Sequence, residues 1–139
     1  MVSPFSGGCL CGAVRYEAAG EPIAVMECHC RDCQKAGGGA SMVGVILPRG
    51  TFRITAGAPK AHAVKTDAGG LLTRYFCATC GSPIYHEPDS MPITVVKAGS
   101  MDDPSWIEIG AAIYVCSALP WAHIDHSLPC HEKMPPRAS

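Results

Sequence analysis

Short runs in which apolar and polar residues alternate, each cut off by glycine or proline, account for most of this 139-residue chain. Ala13-Val14-Arg15-Tyr16-Glu17 alternates with period two and predicts a half-buried strand, which Gly20-Glu21-Pro22 ends. Ile23-Ala24-Val25-Met26 predicts a second strand. Further strands are expected over 42–47, 51–55, 62–65, 71–76, 84–86, 93–97 and 107–115. Pro48-Arg49-Gly50, Ala56-Gly57-Ala58-Pro59 and Asp67-Ala68-Gly69-Gly70 supply turns between them. Strands about ten residues apart with turn residues between them describe a mainly β protein built from hairpins. No long stretch carries helical periodicity. Arg31-Asp32-Cys33-Gln34-Lys35-Ala36 has the composition for a turn or two of helix, closed by Gly37-Gly38-Gly39. That glycine run suits either a flexible connector or a close approach of ligand to backbone.

Composition agrees with this reading. Aromatic residues make up only 6%, while glycine (15) and proline (12) are plentiful, as a turn-rich β protein requires. The length implies a single domain over 1–139, with a core from about 7 to 130 and a loosely ordered tail over 132–139. With 11 basic and 12 acidic residues there is no basic stripe, so nucleic-acid binding is not expected. The longest apolar run, over 111–119, is far shorter than a membrane span, and no membrane partner is expected. The first eight residues lack the basic and apolar regions of a signal peptide, so a soluble cytoplasmic protein is expected.

Nine cysteines change the picture, because seven of them are grouped. In Cys28-His29-Cys30-Arg31-Asp32-Cys33, three thiols within six residues are too crowded for independent structural roles and suit one soft metal ion. Cys9 and Cys11 stand two apart in an extended segment, so both sulfurs face one side. Cys77-Ala78-Thr79-Cys80-Gly81 has the form of a zinc knuckle. A redox pair would instead open a helix, and Gly81 and Pro83 argue against one here. In a cytosolic chain such grouping means metal or redox use rather than a disulfide framework. Cys116 and Cys130 are isolated and expected to be small buried or partly buried thiols. Trp121 is expected in the core or a pocket wall, and His123 and His126 in solvent.

The seven divide into four and three. Cys9, Cys11, Cys77 and Cys80 form two short pairs across a long loop, the usual construction of a closed structural zinc site. Cys28, Cys30 and Cys33 remain as a three-ligand site with one position open. Three thiolates bring a divalent ion to about −1, which weakens it as a Lewis acid toward water and disfavours hydrolysis. The same softness favours a thiol or thiol adduct in the open position. A deaminase-type zinc site would need His-x-Glu and Pro-Cys-x2-Cys, and neither is present.

Gly8-Cys9-Leu10-Cys11-Gly12-Ala13-Val14-Arg15-Tyr16, Cys28 to Cys33, and Cys77-Ala78-Thr79-Cys80-Gly81-Ser82-Pro83 resemble the three signature segments of the glutathione-dependent formaldehyde-activating enzyme (Gfa)/centromere protein V family. Trp121 and Leu128-Pro129 fit its C-terminal pattern. The resemblance implies small coiled antiparallel β-sheets held by zinc, like the Rab guanine-exchange chaperone fold. It implies two zinc ions, a structural one on Cys9, Cys11, Cys77 and Cys80 and a catalytic one on Cys28, Cys30 and Cys33. The implied activity is that of a carbon–sulfur lyase on a thiol–aldehyde adduct such as S-hydroxymethylglutathione. The small-molecule partner is then glutathione or a related thiol. Arg31, Lys35, Arg49 and Arg53 are candidates to meet its carboxylates. A rival reading makes both metals structural in a non-enzymatic module that binds partners or carries a thiol adduct; Cys116, Cys130 or a histidine would then complete the second site.

Overall fold

The computed structural model describes residues 4–135. Ten strands run in chain order: β1 Phe5–Gly8, β2 Arg15–Ala18, β3 Ala24–Cys28, β4 Met42–Pro48, β5 Phe52–Ala56, β6 Lys60–Lys65, β7 Leu71–Phe76, β8 Pro83–Pro88, β9 Ile93–Lys97 and β10 Ala111–Ile113. A helix, α1, spans Arg31–Gly37, and 3-10 turns span Ala98–Ser100 and Val115–Ser117.

Among the described residues the strands form two sheets, β1-β2-β5 and β10-β3-β4-β9-β8-β7-β6. The mainly β, small single-domain architecture expected from the alternating pattern is present. The pairings are antiparallel with one exception: β10 runs parallel to β3, placing Ile113 beside Cys28. A parallel neighbour needs a long crossover, and the chain between β9 and β10 provides it.

The core lies where the small sheet packs on the large one. Tyr16 and Ala18 of β2, Val45 and Leu47 of β4, Ile84 of β8 and Val96 of β9 are fully buried together. A row of rings crosses from one sheet to the other. Tyr16 meets Phe52 at 4.9 Å between centroids, Phe52 meets Tyr85 at 4.6 Å, and Tyr85 stacks on Tyr75 at 4.3 Å. Offset contacts of this kind add about 0.5–1.5 kcal/mol each beyond the area they bury.

Three expectations need correction. The strand over 107–115 shrinks to Ala111–Ile113, because the Ile107 N–H turns back to the Pro104 carbonyl and Tyr114 takes a left-handed conformation at φ 55°. The first strand was not foreseen, because Phe5-Ser6-Gly7-Gly8 has no alternating side chains to reveal it. Glycine is needed at position 7, since a Cβ there would strike the Tyr16 hydroxyl and the Ser100 carbonyl. Part of the expected loose tail is tied down: the Tyr114 N–H donates to Lys133 O at 3.1 Å and the Cys116 N–H to Glu132 O at 3.3 Å. Residues 136–139 of that tail lie outside the described residues.

Candidate metal centres

The four-cysteine group is built by two matching turns. Cys9 and Cys11 follow β1, and Cys77 and Cys80 sit between β7 and β8. Each pair ends in a left-handed glycine, Gly12 at φ 81° and Gly81 at φ 78°. The Gly12 N–H returns to Cys9 O and the Gly81 N–H to Cys77 O, which folds each pair around a common point. All four sulfurs lie within 4.8 Å of one another. The Cys11 Sγ is 3.6 Å from that of Cys9 and 3.7 Å from that of Cys77. Zinc–sulfur bonds of about 2.3 Å in a tetrahedron put sulfurs about 3.8 Å apart, so this donor set fits zinc.

Backbone donors aim at these sulfurs. The Val14 N–H donates to Cys9 Sγ at 3.2 Å, and the N–H groups of Thr79 and Cys80 donate to Cys77 Sγ at 3.4 Å. The Val14 bond is the main reason that the Cys9 thiol lies below its ordinary value. Ser82, through its hydroxyl and N–H, draws Cys80 down to about 5. Cys11 stands at about 11: the Ala13 N–H pulls it down, but the Cys9 sulfur and the rest of the group hold its proton on. Metal binding here therefore releases protons.

The three-cysteine group stands where β3 meets α1. Cys28 ends the strand and Cys33 lies inside the first helical turn. Cys30 is the helix N-cap, its Sγ accepting from the Cys33 N–H at 3.3 Å. The glycine run proves to be a helix terminus, with Gly38 left-handed and its N–H on Gln34 O at 2.7 Å. Cys28 and Cys33 are buried and Cys30 half-buried, with Met26, Met42, Ile113 and Tyr114 packed around them. The sulfurs are mutually within 4.8 Å, so this group also could hold one zinc. Cys33 carries the negative charge of the group: hydrogen bonds from Cys28 and Cys30 draw it down to about 3, helped by the charges of Lys97 and Arg74. Cys28, which gives its proton to those bonds, is pushed far up.

Among the described residues no fourth cysteine, histidine or carboxylate joins these three. His29 is buried but not in ligand range of all three, with Nε2 3.7 Å from Glu27 Oε1 and no hydrogen bond to either ring nitrogen. Cys130 is half-buried, as expected, and turns its sulfur to the Leu128 carbonyl, whereas Cys116 is exposed beside Ser117 instead of buried. Beside Cys33 opens a cavity of ≈ 520 Å³, lined by Cys33, Ser41, Met42, Lys97, Pro104 and Ile107 among others.

The basic residues singled out in the sequence are not on that cavity. Arg49 donates to the carbonyls of Pro88, Met91 and Ile93, Arg53 pairs with Glu17, and Arg31 bonds Gln34. Lys35 is exposed in the last turn of α1. The cation that does line it, Lys97, reads in the sequence as nothing more than the polar end of a strand. Trp121, expected in the core or a pocket wall, is 71% exposed, while His123 and His126 are exposed as expected.

All nine cysteines are free thiols, and no helix among the described residues is long and apolar enough to cross a membrane. A solved structure of a Rhodobacter sphaeroides protein is similar in fold, with a TM-score of 0.57 and 24% identity over 70% of this chain and 87% of that one. The family description "Glutathione-dependent formaldehyde-activating enzyme" matches residues 4–117, a span that holds both cysteine groups and stops short of Trp121 and Leu128-Pro129. By that match the chain belongs to the glutathione-dependent formaldehyde-activating enzyme family.

Proposed function

We propose that the protein is a two-zinc enzyme of the carbon–sulfur lyase type, acting on a thiol–aldehyde adduct such as S-hydroxymethylglutathione. The observation that carries this is the three-cysteine group with no fourth ligand among the described residues, its Cys33 on the wall of a cavity, in a chain of this family. Zinc held there would supply a soft Lewis acid with one position free for substrate sulfur or oxygen. Cys28, Cys30 and Cys33 are the ligands and the catalytic residues of this reading. Cys9, Cys11, Cys77 and Cys80 hold the second ion, whose work is structural.

In the lyase direction the adduct's hydroxyl gives up its proton and the C–S bond breaks with its electron pair going to sulfur. Aldehyde and thiol leave, the proton ending on the departing sulfur. Met42, Pro104 and Ile107 line the cavity with apolar surface that keeps water from the reacting carbon. Buried Gln34 fixes α1 to the link between Cys28 and Cys30, which holds the three sulfurs in register before substrate arrives. Nine free thiols suit a reducing compartment and so a cytoplasmic enzyme.

The rival reading, a non-enzymatic module with two structural metals, needs Cys116, Cys130 or a histidine beside the three cysteines. Among the described residues none is there, which favours the open site. The test is Cys30→Ser, assayed for S-hydroxymethylglutathione turnover and for zinc per chain. The expected result is one zinc retained and turnover lowered about 100-fold or more. Unchanged turnover would refute the catalytic assignment.

A further inference from the structure

Lys97 is a lysine where a lysine is costly. It ends β9, is only 8% exposed, and among the described residues pairs with no carboxylate. Its Nζ donates instead to Nδ1 of His86, 2.8 Å away on the neighbouring strand β8, and His86 is itself buried. That bond requires His86 to accept, hence to be neutral at Nδ1. Burial, followed by the charges of Lys97 and Arg74, keeps the imidazole far from protonation. An ammonium group buried without a carboxylate is costly unless another negative charge stands near it.

The three-cysteine group is that charge. Burial pulls Lys97 down to about 8, and Cys33, then Cys28 and Cys30, are the groups that oppose it. A second cation comes from β7, where Arg74 Nη2 lies 3.9 Å from Cys33 Sγ. Among the described residues no cationic side chain hydrogen-bonds a sulfur of the four-cysteine group. Its sulfurs are met by backbone N–H groups and the Ser82 hydroxyl, and Arg15, which feels the Cys9 charge, is paired with Asp102 near the surface. Three thiolates on a divalent ion leave about −1. Lys97 and Arg74 turn that into an excess of about +1, a centre that lacks one negative charge. Lys97 is also the one cationic side chain among the residues lining the cavity, whose other walls are largely apolar.

We propose that Lys97 is a specificity residue of this site, drawing the anionic form of the substrate's reacting atom, a thiolate or alkoxide, into the cavity beside Cys33, with His86 as its positioning residue. This rests on the reading of the three-cysteine group as an open zinc site.

Cobalt(II) in place of zinc gives a visible spectrum that reports what enters the coordination sphere. Two probes separate charge from fit: 2-mercaptoethanol, whose only anionic atom is its sulfur, and neutral imidazole. Lys97→Met is expected to weaken 2-mercaptoethanol about tenfold or more while imidazole binds within about threefold of wild type. Lys97→Arg should restore the thiol's affinity, and His86→Gln should fall between. The sulfur-to-cobalt bands of the four-cysteine group serve as the folding control in each variant. Equal binding of 2-mercaptoethanol to Lys97→Met and wild type would overturn the role of Lys97 while leaving the open site standing. Loss of both probes alike would reduce Lys97 to a packing residue. A wild-type spectrum that neither probe changes would overturn the open site and this inference with it.

Discussion

Gln34 Nε2 donates to the His29 carbonyl at 2.7 Å and to the Ser117 carbonyl at 3.1 Å, so one buried side chain ties the helix bearing Cys33 to the link between Cys28 and Cys30 and to the turn after β10. Gln34→Ala leaves both carbonyls without that donor, a loss of about 1–3 kcal/mol. Its effect is local, because the four-cysteine group lies on other loops. Chelator competition on the two-zinc protein should show a faster release from one site only, by about tenfold or more. Equal acceleration at both sites would mean that Gln34 supports the fold at large.

Cys77→Ser tests the structural ion. Each fully buried valine or leucine of the core contributes about 1.5–3 kcal/mol. A structural zinc site contributes about 10 kcal/mol or more, so the staple outweighs any single core side chain. The variant should be insoluble or unfolded by circular dichroism. A folded Cys77→Ser protein with a melting temperature near wild type would contradict the role given to this group.

Acid stability should carry the mark of Asp102. Its carboxylate accepts from Arg15 and from Ser6 Oγ, and Arg15 first, then Ser6, hold it below the ordinary value of 3.8. A lowered folded value means that the contribution is complete above 3.8 and is lost as pH falls through the folded value. The stability difference between wild type and Asp102→Asn should therefore be constant at neutral pH and shrink below that point. Both side chains are well exposed, so the difference is small and falls with salt. A difference that grew on acidification would reverse the sign of this argument.

Much of the fold was legible because strands here are local patterns. The stretches over 71–76 and 93–97 were readable to the residue from alternation and flanking turns. The cysteine groups were legible because ligand spacing is written along the chain, and Gly12 and Gly81 mark the turns that close the first group. What was hidden depends on pairing between distant segments. Arg74, His86 and Lys97 come from three adjacent strands and reach the three-cysteine group only through sheet order. No spacing in the sequence announces them. For the same cause the arginines that stand out in the sequence, Arg49 and Arg53, lie away from the cavity, engaged in structural contacts. A strand over 107–115 failed for a different reason: the apolar run is real, but the turn at Pro104 and the left-handed Tyr114 leave only three residues to pair.

The central claim is that one zinc has a position that no protein ligand fills. X-ray absorption at the zinc edge of the two-zinc protein, recorded without and with glutathione, tests it most directly. The account predicts fewer than four sulfurs per zinc on average without thiol, one lighter ligand sharing the second site, and a rise to four when thiol is added. Four sulfurs per zinc from the outset, unchanged by glutathione, would contradict it.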